Sequence, residues 1–159
     1  MKLVPTLLCT VLGCCMLFAG CGTAPKLSGI TVTLMGIRPA GAVEGGLSAI
    51  LTIRVTSENV APIAFSGTSL KLYLNGSYVG KAEGTLPIGM PPLGSVTRDV
   101  VLKIENPAVV RQAMATHDQP PANYRLETVL RVTDNEELLQ LKLKFDGSIS
   151  LRALEGTIP

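Results

Sequence analysis

One histidine, five methionines and four cysteines bound the chemistry open to this chain of 159 residues. His117 stands beside Asp118, the two residue types that acid–base catalysis pairs. Adjacent side chains rarely orient one another, however, and Pro120-Pro121 follows at once, so the pair reads as an exposed loop. Met114 and His117 lie three apart on a predicted helix, a spacing that can face one copper ion, with Met90 as a third soft ligand. Packing under the helix is the competing role for Met114. Ser57, Glu58 and Asn59 offer oxygen ligands in a polar turn, without an acidic cluster around them. Glu136-Glu137 reads as a solvated hairpin loop rather than two carboxylates across a cleft. The stretch from Gly84 to Gly94 is rich in glycine but lacks the Lys and Ser/Thr of a phosphate loop. These types predict a binding protein rather than an enzyme: no catalytic group, no metal, no cofactor and no small-molecule substrate.

The cysteines belong elsewhere. Cys9, Cys14, Cys15 and Cys21 all fall within the first 25 residues, where Lys2 is the only charge before Lys26. A basic residue, an apolar run and small residues at its end make a secretory signal. The rest of the chain cannot be stapled by disulfides despite an oxidising destination, so its stability rests on an apolar core. Phe18-Ala19-Gly20-Cys21 resembles the lipobox of bacterial lipoprotein precursors. That resemblance implies cleavage before Cys21, diacylglycerol on its thiol and a further acyl chain, such as palmitate, on its amine. Ala19 and Gly20 match the pattern; Phe18 departs from its usual Leu. Val11-Leu12-Gly13-Cys14 is a second match behind a shorter apolar run. An uncleaved helix over residues 3–24, long enough to span about 30 Å of hydrocarbon, is the competing reading. Several acyl chains, each methylene adding about 0.8 kcal/mol, make a stable membrane anchor. Gly22 is not Asp, and by resemblance to the enterobacterial sorting pattern this implies an outer-membrane lipoprotein facing the periplasm. The expected organisation is a signal peptide over 1–20, a lipidated cysteine and tether over 21–27, one domain over 28–152 and a tail over 153–159.

Charge argues against nucleic acid as a partner. Lys and Arg number 14 against 12 Asp and Glu, with no basic cluster to displace counterions. Tryptophan is absent and aromatics make up 4% of the chain, too few for a base-stacking platform.

The elements that carry these residues show a period of two. Leu47, Ala49, Leu51, Ile53 and Val55 alternate with Ser48, Ile50, Thr52 and Arg54, which builds one dry face and one wet face. Ile50 breaks the pattern and predicts an outer face that is partly covered. Leu70, Leu72 and Leu74 lead into Asn75-Gly76, the strongest short hairpin signal, with the return strand beginning at Tyr78 and Val79. Before them, Ile30, Val32 and Leu34 make a first strand that Pro39 and Gly41 end. Lys81 to Pro92 reads as a loop holding a short strand near Thr85 to Ile88. Val96, Val100, Leu102 and Ile104 share a face; Arg98 falls in the same inward phase, which predicts a bulge or an edge position there. Asn106-Pro107 can start a helix over Ala108 to Thr116. Tyr124 to Thr133 and Leu139 to Phe145 are two more alternating strands around a hairpin loop, with a bulge expected at Asp146-Gly147. The fold class expected is all-β: an antiparallel β-sandwich, immunoglobulin- or fibronectin-III-like, of about seven strands with one short helix.

The order of these pieces resembles the late embryogenesis abundant type 2 domain, also called the water-stress and hypersensitive-response (WHy) domain. An apolar strand ends in a polar turn with an Asn and a nearby Pro. Gly67, the Leu-x-Leu-x-Leu-Asn-Gly hairpin, Val79-Gly80, Pro92-x-Gly94-Ser95 and a Val-rich strand follow. Phe145-Asp146-Gly147-Ser148-Ile149 is similar to the family's closing strand. The likeness covers about Ser28 to Leu151, though Ser57-Glu58-Asn59 stands where the family often has Asn-Pro-Asn. It implies a β-sandwich without a catalytic constellation, associated with desiccation and stress protection. Binding is expected at Ser57, Glu58 and Asn59 together with Lys81 to Pro92. The partners expected are the membrane, through Cys21, and an envelope protein; an accessory role in an envelope or secretion machine is the alternative.

Overall fold

A computed structural model describes residues 28–40, 46–84, 87–115, 121–134 and 137–152. The signal and tether, His117 and Asp118, Glu136 and the tail lie outside these. The described chain forms β1 (Ile30–Pro39), β2 (Ser48–Ser57), β3 (Ile63–Leu74), β4 (Ser77–Gly84), β5 (Ile88–Met90) and β6 (Ser95–Ile104). Helix α1 (Pro107–Ala115), β7 (Ala122–Asp134) and β8 (Glu137–Ile149) complete it. All described pairings are antiparallel.

The strands follow one path, β1-β2-β6-β4-β3-β7-β8, with β5 beside β3. Its two ends, β1 and β8, lie against each other. The expectation of two facing sheets of about seven strands therefore gives way to a single eight-stranded sheet curled into an almost closed barrel. Period-two alternation fixes which side of each strand is dry; it does not say whether the dry side faces a second sheet or the far wall of its own.

The dry faces meet in one core. Ala49, Leu51, Ile53 and Val55 of β2 are fully buried, as are Leu70, Leu72 and Leu74 of β3 and Leu126 and Leu130 of β7. Ile50 is half-buried between Arg38 and Val101, its partners on the two flanking strands. Of three register shifts among the described residues, one falls between Leu72 and Tyr73 where β3 meets β4, and two keep the inward rows of β1 and β3 in phase. One lies between Leu34 and Gly36, leaving Met35 outside and Ile37 inside. The other lies between Phe65 and Gly67, after which Thr68 and Leu70 take over the inward row.

Asn75 and Gly76 have φ of 47° and 81°, the two positive values that a tight hairpin of this kind requires. The expected loop from Lys81 is instead strand as far as Gly84, and the short strand falls at Ile88–Met90, beyond its expected place. Buried Ala82 sits in the inward phase of β4 and carries the pairing past Lys81. Helix α1 starts at Pro107, as its sequence predicts, and buries Val110.

One side chain bonds across the closure of the barrel. Tyr124 of β7 sits opposite Gly147 of β8, and its hydroxyl accepts the backbone N–H of Leu34 in β1 at 3.2 Å. A Cβ on Gly147 would stand 2.7 Å from the Tyr124 hydroxyl oxygen and 2.8 Å from two of its ring carbons. The missing side chain is what lets the phenol reach past β8 to β1. The expected bulge at Asp146-Gly147 is absent: β7 and β8 pair without a shift from Ala122↔Ile149 to Asp134↔Glu137. Gly147 is there for clearance rather than for a bend.

Candidate binding site

Strand β6 is paired along one side and open along most of the other. It pairs with β2 from Ser95 to Lys103. With β4 it shares only Ile104↔Gly80 and Lys103↔Lys81. The contact centres on Gly80, where a Cβ would overlap the Lys103 carbonyl. Glycine permits the two backbones to touch at that point, and beyond it they diverge.

The alternation of backbone groups along β6 follows from two bonds. Ile104 N–H donates to Leu47 on the β2 side, and Glu105 N–H donates to Val79 on the β4 side, both at 2.9 Å. Odd-numbered residues therefore aim their backbone groups away from β2. Thr97, Asp99 and Val101 form an edge that no described strand pairs with. Arg98 curls along it and donates from its guanidinium to the Thr97 carbonyl at 3.2 Å. Arg98 lies in the inward phase, opposite buried Ile53, yet is exposed, with no described strand paired along its other flank. The edge position that its phase predicts is what the structure has.

Below this edge the gap is apolar. Ile53, Ile88, Val100 and Gly84 line a cavity of about 20 Å³ with Arg98 and Asp99 at its mouth. That is room for one water or the tip of one small side chain. Thr68 also lines it, and its buried hydroxyl has no hydrogen-bond partner among the described residues. An unmet buried hydroxyl of this kind costs roughly 1–3 kcal/mol. The seam thus offers backbone groups that no described strand pairs on one wall, an apolar floor and a polar atom in want of a partner.

The mouth is electrostatically settled. Asp99 accepts from Thr52 Oγ1 at 2.6 Å and from Arg38 at 2.7 Å. The Thr52 hydrogen bond and then Arg38 hold its carboxyl below the ordinary carboxylate range. A second polar group lies on the outer face: Tyr73 and Tyr78 sit 5.5 Å apart, their hydroxyls on Glu127 and Glu105. Lys144 bonds Glu127 at 2.9 Å and lowers its pKa. Burial, then Glu105, raises that of Tyr78. These are surface pairs, each of small net effect on stability.

The turn expected to bind is knotted into the fold. Ser57 is buried, and its hydroxyl accepts from the backbone and the side-chain amide of Asn59, both at 3.2 Å. The same amide donates to Ser28 O at 2.9 Å, and Glu58 N–H to Gly29 O at 2.9 Å. Ser57 N–H bonds Gly94 O, and Leu93 N–H bonds Asn59 O, each at 2.8 Å. Ser57 and Asn59 thus tie the start of β1 to the turn before β6, while Glu58 is exposed beside them. Of the expected partner segment, Lys81 to Gly84 borders the seam and Ile88 lies in its floor. The seam itself was signalled in the sequence only by the phase of Arg98.

The soft ligands do not converge. Met90 is buried in β5 opposite Ile63, at the start of β3. Helix α1, where Met114 packs against the core, sits by Leu74 and Asn75 at the other end of β3. A polar cavity of about 210 Å³ lies there between the hairpin and Val109, Gln112 and Ala113. Among the described residues no three His, Cys, Asp or Glu gather as a metal site.

No protein-family model matches the chain, and no curated protein matches it. Among solved structures it is similar to a protein of Arabidopsis thaliana, at 13% identity over 82% of this chain and 91% of that one, with a TM-score of 0.47. It is similar also to a late embryogenesis abundant (LEA) protein, at 16% identity over 92% and 86% of the two chains, with a TM-score of 0.43. A Bacillus subtilis lipoprotein matches at 11% identity over 84% of this chain but 40% of its own length, with a TM-score of 0.42. At such scores these are likenesses only, and no role passes from them to this chain.

Proposed function

We propose that the chain is a lipid-anchored, non-catalytic β-protein of the bacterial envelope that binds an extended segment of an envelope partner along β6. The observation that carries this is the unpaired edge of Thr97, Asp99 and Val101 above an apolar floor. An added strand would gain backbone hydrogen bonds from that edge and seat alternate side chains in the seam, with one polar group meeting Thr68. The resemblance to the late embryogenesis abundant type 2 domain makes water stress the setting, with the anchor on Cys21 in the outer membrane and the domain facing the periplasm.

The edge is tested by Val101→Pro. Proline removes an N–H that points into the seam and leaves the β2 ladder intact, a change tolerated at strand edges. The expected outcome is an unchanged melting temperature with loss of the partner crosslinked from a photoreactive residue at position 97, and survival after drying reduced to that of a deletion strain. Wild-type crosslinking and survival in the variant would sink the edge as the binding site. The anchor is tested separately, by the intact mass of membrane-extracted protein and fractionation of the two membranes. The expected mass begins at Cys21 and includes acyl chains; a mass that keeps Met1 would make the first segment a plain membrane anchor.

A further inference from the structure

Large apolar side chains are exposed mainly at one end of the barrel. Six are exposed among the described residues, and four cluster there: Val60 (81%), Leu93 (68%), Leu138 (57%) and Leu139 (37%). The pairings place them together. Leu93 is bonded to Asn59, next to Val60. Met90 and Ile63 pair just inside that turn, and Phe65 pairs with both Ile88 and Val132. Val132 in turn pairs with Leu139, and Thr133 with Leu138. From β5 to β8 is three strand spacings, about 14 Å. Leu93 is held at φ 48°, a left-handed conformation unfavourable to a side chain with a Cβ. The fold holds this side chain outward in spite of that strain.

The chain also enters the fold at this end, since Ser28 O is bonded to Asn59 and Gly29 O to Glu58. We infer that this end is a membrane-docking face, with Val60, Leu93 and Leu138 seated at the lipid headgroup–acyl boundary. The inference rests on the anchor at Cys21 proposed above, and distance then favours this end. Cys21 to Ser28 is seven residue steps, a reach of at most about 25 Å. The twelve-residue β3 runs about 40 Å from this end to the Asn75-Gly76 hairpin. With the far end on the bilayer, Ser28 would stand beyond its tether. Charge fixes the kind of surface: Glu58 is exposed here, two residues before Val60. The face therefore takes up zwitterionic lipid through its apolar tips and gains nothing from anionic lipid.

The chain has no tryptophan, so single reporters are available. The full-length protein carrying Leu93→Trp, Val60→Trp or, at the far end, Ser77→Trp is reconstituted in phosphatidylcholine vesicles with acyl chains brominated near the headgroup. Emission at positions 60 and 93 is expected to shift blue and to be quenched at least twofold, with position 77 unaffected and no increase on adding phosphatidylglycerol. Equal quenching at all three positions, or none at 60 and 93, overturns the docking face. So does a blue shift at 93 without vesicles that grows with protein concentration, which would assign the tips to a second copy of the chain. The mass of the same samples decides the anchor independently: acylated protein with an unquenched reporter at position 93 leaves the anchor standing and removes the docking face.

Discussion

Tyr124 and Gly147 show how a single pair of residues closes a large structure. The phenol reaches an otherwise unpaired N–H of Leu34, and only a glycine in β8 leaves the path clear. Tyr124→Phe keeps the ring and strands that buried donor, a cost of about 1–3 kcal/mol. Gly147→Ala keeps the hydroxyl and pushes the buried ring, a cost of similar size. Urea unfolding is expected to show both losses, with the double variant falling short of their sum because both act on one bond. Neither role was legible in the sequence. Tyr124 announced an inward side chain, and Gly147 suggested a bend, since a glycine between alternating residues looks the same whether it serves a bulge or another ring's clearance. Ser57 and Asn59 show the same limit: a polar turn reads as a set of free ligands, and nothing local says that its hydroxyl and amide also bond Ser28 and each other.

Within elements the alternation told most of what the structure holds. Leu51 to Val55, Leu70 to Leu74 and Leu126 to Val132 are buried as their period requires, and the Asn75-Gly76 turn has the predicted backbone. What remained hidden was which strand lies next to which, because side-chain phase carries no information about the neighbour across the hydrogen bonds. The β4–β6 junction illustrates this. Gly80 looks like any hairpin glycine until the Lys103 carbonyl is found against it. Gly80→Ala is expected to break this two-residue junction and lower stability by about 3 kcal/mol, the upper end of overpacking costs. Gly76→Ala meets no atom within 4 Å and suffers only its positive φ, about 1–2 kcal/mol. Thermal unfolding of the two variants separates a steric cause from a conformational one; equal losses would mean that Gly80 is not the point of contact.

At the scale of the molecule, the proposed binding edge and the proposed docking end adjoin. The open edge begins at Thr97, two residues into β6 and four beyond Leu93, so with that end docked a partner strand would enter it from beside the bilayer. The strand order has one more consequence, in time rather than space. Leu34 and Tyr124 are 90 residues apart, and β1 and β8 are the first and last strands of the path. A chain delivered N-terminus first makes the β1–β2 hairpin early and then waits for nearly the whole remainder before its barrel can close. Through that interval β1 carries a bare outer edge, the feature that invites pairing with a stranger. Long-range closure of this kind is slow. Holding the chain by its first residues at a surface would keep that edge away from other copies until Tyr124 arrives.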